Sequence, residues 1–178
     1  MSDTFWLKVQ KRGGILTDDI QTLRLILHPI DVAEGERIIS RSAGPTDLWA
    51  SDFPFEGDVV GAEMFLRATS TFGEQRPFGF YRITRLSDGL AIGGLGFKGV
   101  PQEGCVEIGY GLSRSSRGSG YAAEAIAALV ALAKNHEVKK VIATTTPGNI
   151  ASRRSLLRVG FVLESADDEI CNFAIRLQ

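Results

Sequence analysis

Hydrophobic positions recur along this 178-residue chain at every second residue in some stretches and at every third or fourth in others. The first spacing predicts strands and the second predicts amphipathic helices. The predicted strands cover about residues 22–28, 79–86, 90–97, 106–112, 141–146 and 170–177, with one more after residue 160. The predicted helices cover about residues 31–41, 58–69, 122–133 and 150–159. Asp31 and Asp58 stand where the first two helices begin, and an aspartate there can cap a helix.

A glycine-rich turn joins the strand at 106–112 to the helix at 122–133. Its sequence is Arg117-Gly118-Ser119-Gly120-Tyr121-Ala122. Such a turn points several backbone N–H groups at one place, since the first N–H groups of a helix have no intrahelical partner. The helix dipole adds positive potential there. The segment therefore predicts an anion site, most naturally for a phosphate or pyrophosphate.

Two common phosphate-binding loops do not fit this turn. A dinucleotide-binding loop requires Gly-x-Gly-x-x-Gly, and Ala123 occupies the place of the third glycine. That fold also needs an acidic residue after the next strand, which here ends in threonines at Thr146. The loop of nucleotide hydrolases needs a lysine, and the turn has none. A protein that binds ATP or NAD through this turn is therefore kept only as a third hypothesis.

A second informative segment follows the strand at 141–146. Pro147 and Gly148 end that strand, and Asn149 is a good N-cap for the next helix. Gly160 stands where the helix should end, because glycine readily adopts the left-handed backbone of a C-terminal cap. The order is therefore turn, helix, strand and capped helix.

Together, the two segments resemble the two motifs of the GNAT acetyltransferase superfamily. The acyl-CoA motif Arg/Gln-x-x-Gly-x-Gly/Ala is matched by Arg117, Gly120 and Ala122. The second motif is matched by Asn149, Ser152 and the pair Gly160–Phe161. The RimJ/RimL-like branch, which acetylates ribosomal-protein N-termini, is similar to this chain over residues 22–30, 107–110 and 120–125.

The resemblance implies one α+β domain over residues 1–178, with a lead-in at 1–21 and the core at 22–178. Its sheet would be mixed and mostly antiparallel, with about seven strands that splay at the centre and about four flanking helices. Acetyl-CoA would be the co-substrate, with no metal. The pantetheine arm would pair with backbone groups in the splayed gap, at Tyr110, Gly111 and Leu112. The pyrophosphate and neighbouring groups would contact Arg117, Gly118, Ser119, Gly120, Tyr121, Ala122, Asn149 and Ser152.

The same resemblance suggests how the reaction would be catalysed. Glu107 lies on the strand that leads into the turn, where related enzymes place a carboxylate that removes the ammonium proton. Glu103 is a rival, but it lies in a turn and is expected to be solvated. Many GNAT enzymes carry a tyrosine seven positions after the motif asparagine as general acid, and this chain has Leu156 there. Ser152 or water would then protonate the thiolate, unless the thiolate leaves unassisted.

The acceptor amine is expected opposite CoA, near the irregular and aromatic stretch 46–57. The residues expected to wall this acceptor site are Trp49, Asp52, Phe53 and Phe55. The aspartate would attract a cationic amine, although plain packing is the commoner role for the three aromatic side chains.

Composition narrows the functional classes. A net charge of -1 argues against a nucleic-acid binder that relies on a basic surface. Two cysteines and two histidines, without metal-ligand spacing, argue against a disulfide framework or a metal centre. The sequence shows neither a signal peptide nor an apolar helix long enough for a bilayer, so the expected location is the cytoplasm. Edge-strand pairing into a homodimer is a further expectation from the resemblance.

The leading hypothesis is therefore an acetyl-CoA-dependent N-acetyltransferase that acts by direct attack in a ternary complex. Its acceptor would be a primary amine, either a protein N-terminus or a small amine. The alternative is a catalytically silent CoA-binding sensor or regulatory module, because Leu156 leaves the general acid unassigned.

Overall fold

The structure is a computed structural model that describes residues 11–12, 15–16 and 18–178. The remaining positions of the predicted lead-in lie outside the described residues. The strands are β1 (Lys11–Arg12), β2 (Ile15–Leu16), β3 (Ile20–Gln21), β4 (Leu25–Pro29), β5 (Phe80–Arg85), β6 (Ala91–Phe97), β7 (Cys105–Leu112), β8 (Lys140–Thr145), β9 (Val162–Ala166) and β10 (Cys171–Arg176). The α-helices are α1 (Val32–Ser40), α2 (Glu56–Phe72), α3 (Tyr121–Asn135) and α4 (Ile150–Val159).

Eight strands form one open sheet in the order β3-β4-β5-β6-β7-β8-β10-β9, and β1 and β2 pair separately. Neighbours in the sheet are antiparallel except β7 and β8, which run parallel. The predicted α+β class, with a mostly antiparallel sheet and four helices, is confirmed. The eighth strand comes from Ile20 and Gln21, predicted as lead-in, which pair with β4. A two-residue strand is too short to give a periodic pattern.

Helix α3 is fixed to the sheet at its first turn, next to the glycine-rich segment. Its side chains Ile126 and Leu129 are fully buried in the core. The Glu124 carboxylate accepts hydrogen bonds from the Thr22 hydroxyl (2.6 Å), the Arg24 backbone N–H (2.8 Å) and the Arg24 Nε (2.7 Å). Burial opposes ionisation of Glu124, but these bonds hold its pKa below the usual value. The start of α3 is therefore attached to the segment that enters β4.

The start of α2 differs from the prediction. The helix begins at Glu56, with Phe55 as the N-cap, so Asp58 lies inside the first turn. The Asp58 Oδ2 atom accepts a hydrogen bond from the Phe55 backbone N–H at 3.1 Å. An acidic side chain at this third helical position can bond back to the backbone N–H of the N-cap residue. Asp58 therefore marks a helix whose N-cap lies three residues earlier than predicted.

The Asp58 carboxyl is buried between α2 and β6. The residue is 1% exposed, and Oδ1 has no hydrogen-bond partner among the described residues. Burial raises the pKa of Asp58 to about 7, against the lowering effects of the Phe55 N–H and of the Arg41 charge. The folded protein therefore holds a proton on Asp58 between about pH 4 and pH 7 that the unfolded chain has lost.

We predict that stability falls as pH rises through this interval and levels off above about pH 7, because native Asp58 must then ionise while buried. Asp58→Asn should remove this dependence and gain up to about 4 kcal/mol over the original chain at pH 8. Urea unfolding at several pH values measures the effect. Equal slopes of unfolding free energy against pH in both proteins would contradict it.

Candidate active site

Strands β7 and β8 are paired only along the first half of β7. Their parallel pairing runs from Cys105 opposite Lys140 to Ile108 opposite Ala143, and it ends there. On its other edge β7 remains paired with β6 as far as Leu112. The predicted splay at the centre of the sheet is therefore present, and it opens one edge of the last part of β7.

The exposed edge of β7 presents backbone groups of alternate residues. The Lys98 N–H donates to the Glu107 carbonyl, and the Ser113 N–H donates to the Ile92 carbonyl, both at 2.8 Å. Because bonding directions alternate along a strand, Tyr110 and Leu112 direct their backbone groups away from β6 and into the gap. Arg117 folds back to this gap, and its Nε donates to the Leu112 carbonyl at 3.0 Å.

The glycine-rich turn follows directly and leads into α3. Gly118 and Gly120 have φ angles of 83° and 80°, which favour glycine strongly over other residues. Gly120 is the N-cap of α3, and no side chain caps the helix. The first helical bond runs from the Glu124 N–H to the Gly120 carbonyl (3.2 Å), so the N–H groups of residues 121–123 have no intrahelical partner. This end of α3 has the open donors that an anion requires.

Two arginines that sequence reasoning missed approach the same turn. A Cβ atom placed on Gly120 would lie 3.6 Å from Nη2 of Arg24 and 3.7 Å from Nη1 of Arg158. Arg24 also donates to the Ser119 carbonyl at 2.9 Å and lies over the Tyr121 ring, 4.6 Å from its centre. One arginine precedes β4 and the other lies in α4, so only the tertiary fold brings them together.

The start of α4 closes the other side of the gap. Asn149 caps the helix, and its Oδ1 accepts from the Ser152 N–H at 3.1 Å. The hydroxyl oxygens of Ser152 and Tyr110 are 2.7 Å apart. Burial raises the pKa of the Tyr110 hydroxyl, although the bond with Ser152 works the other way. Leu156 is fully buried in the core.

Glu107 lies on the opposite face of β7 from Tyr110. Its Oε1 accepts from the Lys98 Nζ at 2.5 Å and from the Thr144 hydroxyl at 3.0 Å. Its Oε2 has no hydrogen-bond partner within residues 18–178. The side chain is 28% exposed. Hydrogen bonds to Oε1 therefore hold the carboxylate in place, and Oε2 is left available to a ligand.

A cavity of about 720 Å³ lies on the Glu107 face of the sheet, between α2 and strands β5 to β7. Its floor includes Gly94, Gly96, Gly109 and Gly111, and Lys98 lies at its edge. Glu107 does not line the cavity itself. It binds this lysine at the cavity's edge and lies two residues from Gly109 on the same face of β7.

The residues predicted to wall the acceptor site lie mostly elsewhere. Trp49 and Phe53 pack edge to face with ring centres 5.2 Å apart, and Phe53 is buried in the core. The Asp52 carboxylate accepts from the Ser115 N–H (2.9 Å) and hydroxyl (2.7 Å), which lower its pKa. These three do not line the cavity. Phe55 does not line the cavity either, although its ring lies against Gly111 of the cavity floor.

Comparison with known proteins decides the family. A family model described as "Acetyltransferase (GNAT) domain" matches residues 24–162. The chain belongs to the GNAT acetyltransferase family. As a member, it uses acetyl-CoA as the acyl donor. The open edge of β7, the positive-φ glycines and the uncapped start of α3 fit the extended arm and the pyrophosphate of such a donor.

Individual relatives agree with this assignment. The uncharacterized N-acetyltransferase YjdG of Bacillus subtilis (strain 168) is 32% identical over 121 residues, which cover 67% of this chain and 69% of that protein. An acetyltransferase from Agrobacterium tumefaciens str. C58 has the same fold, with a TM-score of 0.64, 22% identity and coverage of 94% and 99%. RimL, a ribosomal L7/L12 alpha-N-protein acetyltransferase solved with coenzyme A, has a TM-score of 0.65 and 16% identity, and the match covers 90% of this chain and 98% of that chain.

The described residues of this GNAT acetyltransferase contain neither a cluster of metal ligands nor a membrane-spanning helix. No three histidine, cysteine, aspartate or glutamate side chains gather there as metal ligands. Neither is any described helix both long enough and apolar enough to cross a membrane.

We predict that CoA, at a hundredfold excess over its Kd, stabilises the protein by about 2.7 kcal/mol, on the order of 8 °C in Tm. Gly120→Ala should lower Tm, because alanine is strained at positive φ, and should weaken CoA binding about tenfold by crowding the donors. Gly104→Ala is the matched control: its φ is 76°, and it lies in the turn at the far end of β7.

The control should lose stability and keep its affinity for CoA, as measured by thermal shift over a CoA titration. Equal affinities in the two variants would remove the turn from the CoA site. A Tm increase with ATP or NAD and none with CoA would favour a nucleotide-binding turn instead.

Proposed function

We propose that this protein transfers the acetyl group of acetyl-CoA to a primary amine, either a protein N-terminus or a small amine, by direct attack in a ternary complex. One observation carries the proposal: the edge of β7 that faces β8 is open, and a cavity lies beside the same part of the strand, on the face that Glu107 shares. Donor and acceptor could thus meet at β7 from opposite sides. Such positioning alone supplies much of the rate of a two-substrate reaction.

The proposed donor site uses the groups that the fold leaves open. The pantetheine arm would lie along Tyr110, Gly111 and Leu112. It would pair with the backbone groups that Tyr110 and Leu112 direct into the gap, as an added strand pairs with a sheet edge. The pyrophosphate would accept hydrogen bonds from the turn, at Arg117, Gly118, Ser119, Gly120, Tyr121 and Ala122. Arg24 and Arg158 add positive charge beside Gly120. Asn149 and Ser152 would contact CoA from the start of α4.

Glu107 is the proposed general base. Its free Oε2 can take the ammonium proton, directly or through a water, while Lys98 and Thr144 hold Oε1. The deprotonated nitrogen then forms its bond to the acetyl carbon as the bond from that carbon to the CoA sulfur breaks, and the nitrogen releases its second proton to water. Glu103 lies in the turn before β7 and is exposed, which makes it unsuitable.

The hydroxyl pair of Tyr110 and Ser152 is the proposed proton source for the departing sulfur. With Leu156 in the core, the usual position for a general acid offers no proton. The pair lies between β7 and α4, beside the gap. Because burial raises the pKa of Tyr110, its hydroxyl keeps its proton at neutral pH. Ser152 would pass a proton to sulfur and recover one from Tyr110, and Tyr110 would regain its proton from water.

The RimJ/RimL-like assignment belongs to the same proposal. Support comes from the resemblance of residues 22–30, 107–110 and 120–125 to that branch and from the shared fold of RimL. RimL itself acts on a protein N-terminus, as its name states.

The transfer is tested by release of free thiol when acetyl-CoA meets a panel of amines and N-terminal peptides. At least one acceptor should release thiol above the rate of hydrolysis. Glu107→Gln, which keeps size and loses the base, should lower kcat with that acceptor by about a hundredfold. Glu103→Gln is the matched control and should keep full activity.

Silence across the panel with acetyl-CoA still bound would favour a CoA-binding sensor. Full activity of Glu107→Gln would remove the base assignment and leave the transfer standing. A rate of Glu107→Gln that rises with pH towards that of the original protein would instead support a lost base, since free amine is then supplied by solvent.

Tyr110→Phe and Ser152→Ala each break the hydroxyl pair, and each should lower kcat about tenfold. Tyr110→Phe keeps the backbone that is proposed to bind CoA, so its CoA affinity should change little. The double variant should be little worse than either single one, because the two groups act as a unit. Steady-state kinetics with a thermal-shift measurement of CoA binding gives both quantities. Additive losses, or none, would show that water protonates the sulfur or that it leaves unassisted.

A further inference from the structure

The cavity beside β7 has an unusual lining for the acceptor site of an amine. Eight large apolar side chains line it: Val60, Met64, Phe65, Phe72, Phe78, Phe80, Phe97 and Val100. Four of these are counted among the exposed large hydrophobic residues of the described chain, namely Val60, Met64, Phe72 and Val100. Exposed apolar side chains that gather in one concave site indicate a ligand surface rather than scattered surface residues.

Helix α2 supplies one wall of the cavity as a continuous stripe. Val60, Met64, Ala68 and Phe72 are spaced four residues apart, so they follow one line along the helix. Phe72 is 78% exposed, whereas the core-facing residue Ala62 is fully buried. Folding therefore uses another face of α2, and the stripe is not needed for the core. From first to last the stripe extends about 18 Å.

The charged residues of the lining are already paired. Lys98 binds Glu107 at 2.5 Å, and Glu74 binds Arg76 at 3.1 Å. No other charged residue lines the cavity within the described chain. A polyamine or an acidic acceptor would therefore leave its remote charges among apolar side chains, at a cost in desolvation.

We propose that the acceptor is a small primary amine with an alkyl or arylalkyl arm, which lies along the α2 stripe and presents its nitrogen to Glu107. This rests on the proposed transfer reaction. The cavity extends to Tyr110 and Gly111, where β7 is no longer paired with β8, and this is the place proposed for the acetyl group. A peptide would instead bring backbone N–H and C=O groups along an apolar wall that offers few partners.

The experiment compares kcat/KM for size-matched amines by thiol release at saturating acetyl-CoA. Propylamine, hexylamine and phenylethylamine form the apolar series, ethanolamine and putrescine form the polar series, and peptides beginning with leucine or serine form the third arm. Each methylene buried along the stripe should raise kcat/KM about fourfold (about 0.8 kcal/mol). Hexylamine should exceed putrescine by more than tenfold.

A substitution in the stripe tests the site itself. Met64→Gln keeps length and helix propensity but puts an amide in the wall. It should lower the ratio of kcat/KM for hexylamine over ethanolamine by about fivefold to tenfold. Glu63→Gln, next to it on the exposed side of α2 and outside the cavity lining, should keep the original ratio.

The outcomes separate the two proposals. Transfer to polar amines or to serine peptides as efficient as transfer to hexylamine would overturn the apolar arm and leave acetyl transfer intact. A leucine peptide better than every free amine would also overturn it. Equal ratios in Met64→Gln and Glu63→Gln would remove the stripe from the acceptor site. Binding of acetyl-CoA without thiol release to any acceptor would overturn the transfer, and this inference with it.

Discussion

The divergence of β7 from β8 is the constraint on which the rest of the site depends. Each strand keeps its outer partner through the gap, β7 with β6 as far as Leu112 and β8 with β10 as far as Thr145. The two halves of the sheet can therefore separate without losing the bonds that hold each strand. Only the inner edge is left open, and unpaired backbone groups in a folded protein need a partner. The proposed donor, an extended amide-bearing arm, supplies one.

The ends of the gap explain why the turn after β7 is so constrained. A strand that leaves its neighbour must be redirected at once into α3, and the two glycines at positive φ make that redirection possible. Glu124 then ties the first turn of α3 to Thr22 and Arg24. The uncapped N–H groups are thus fixed by bonds to a distant strand. Such preorganisation avoids the cost of ordering a flexible loop on binding.

The sequence predicted the secondary-structure elements well and gave no indication of the cavity, for physical reasons. Gly118, Gly120 and Asn149 could be identified because each position requires a particular backbone or cap, which a local pattern reveals. Trp49 and Phe53 are aromatic residues near the right elements, but composition does not show which face a side chain takes. In the sequence, the cavity-lining residues of α2 appear only as apolar residues four positions apart. A helix face that is buried in the core has the same pattern. The exposure of the cavity-lining residues appears only when α2 is placed against the sheet.

Side chains that alternate along β7 separate the proposed base from the proposed acid. Glu107, Gly109 and Gly111 share one face of β7, and Tyr110 lies on the other, against α4. In the proposed reaction the amine loses its proton on the first face, and the sulfur gains one on the second. A single strand would then keep base and acid apart, so that Glu107 cannot simply neutralise the hydroxyl pair. Gly109 carries no side chain between Glu107 and the end of β7, whereas the Phe55 ring packs against Gly111.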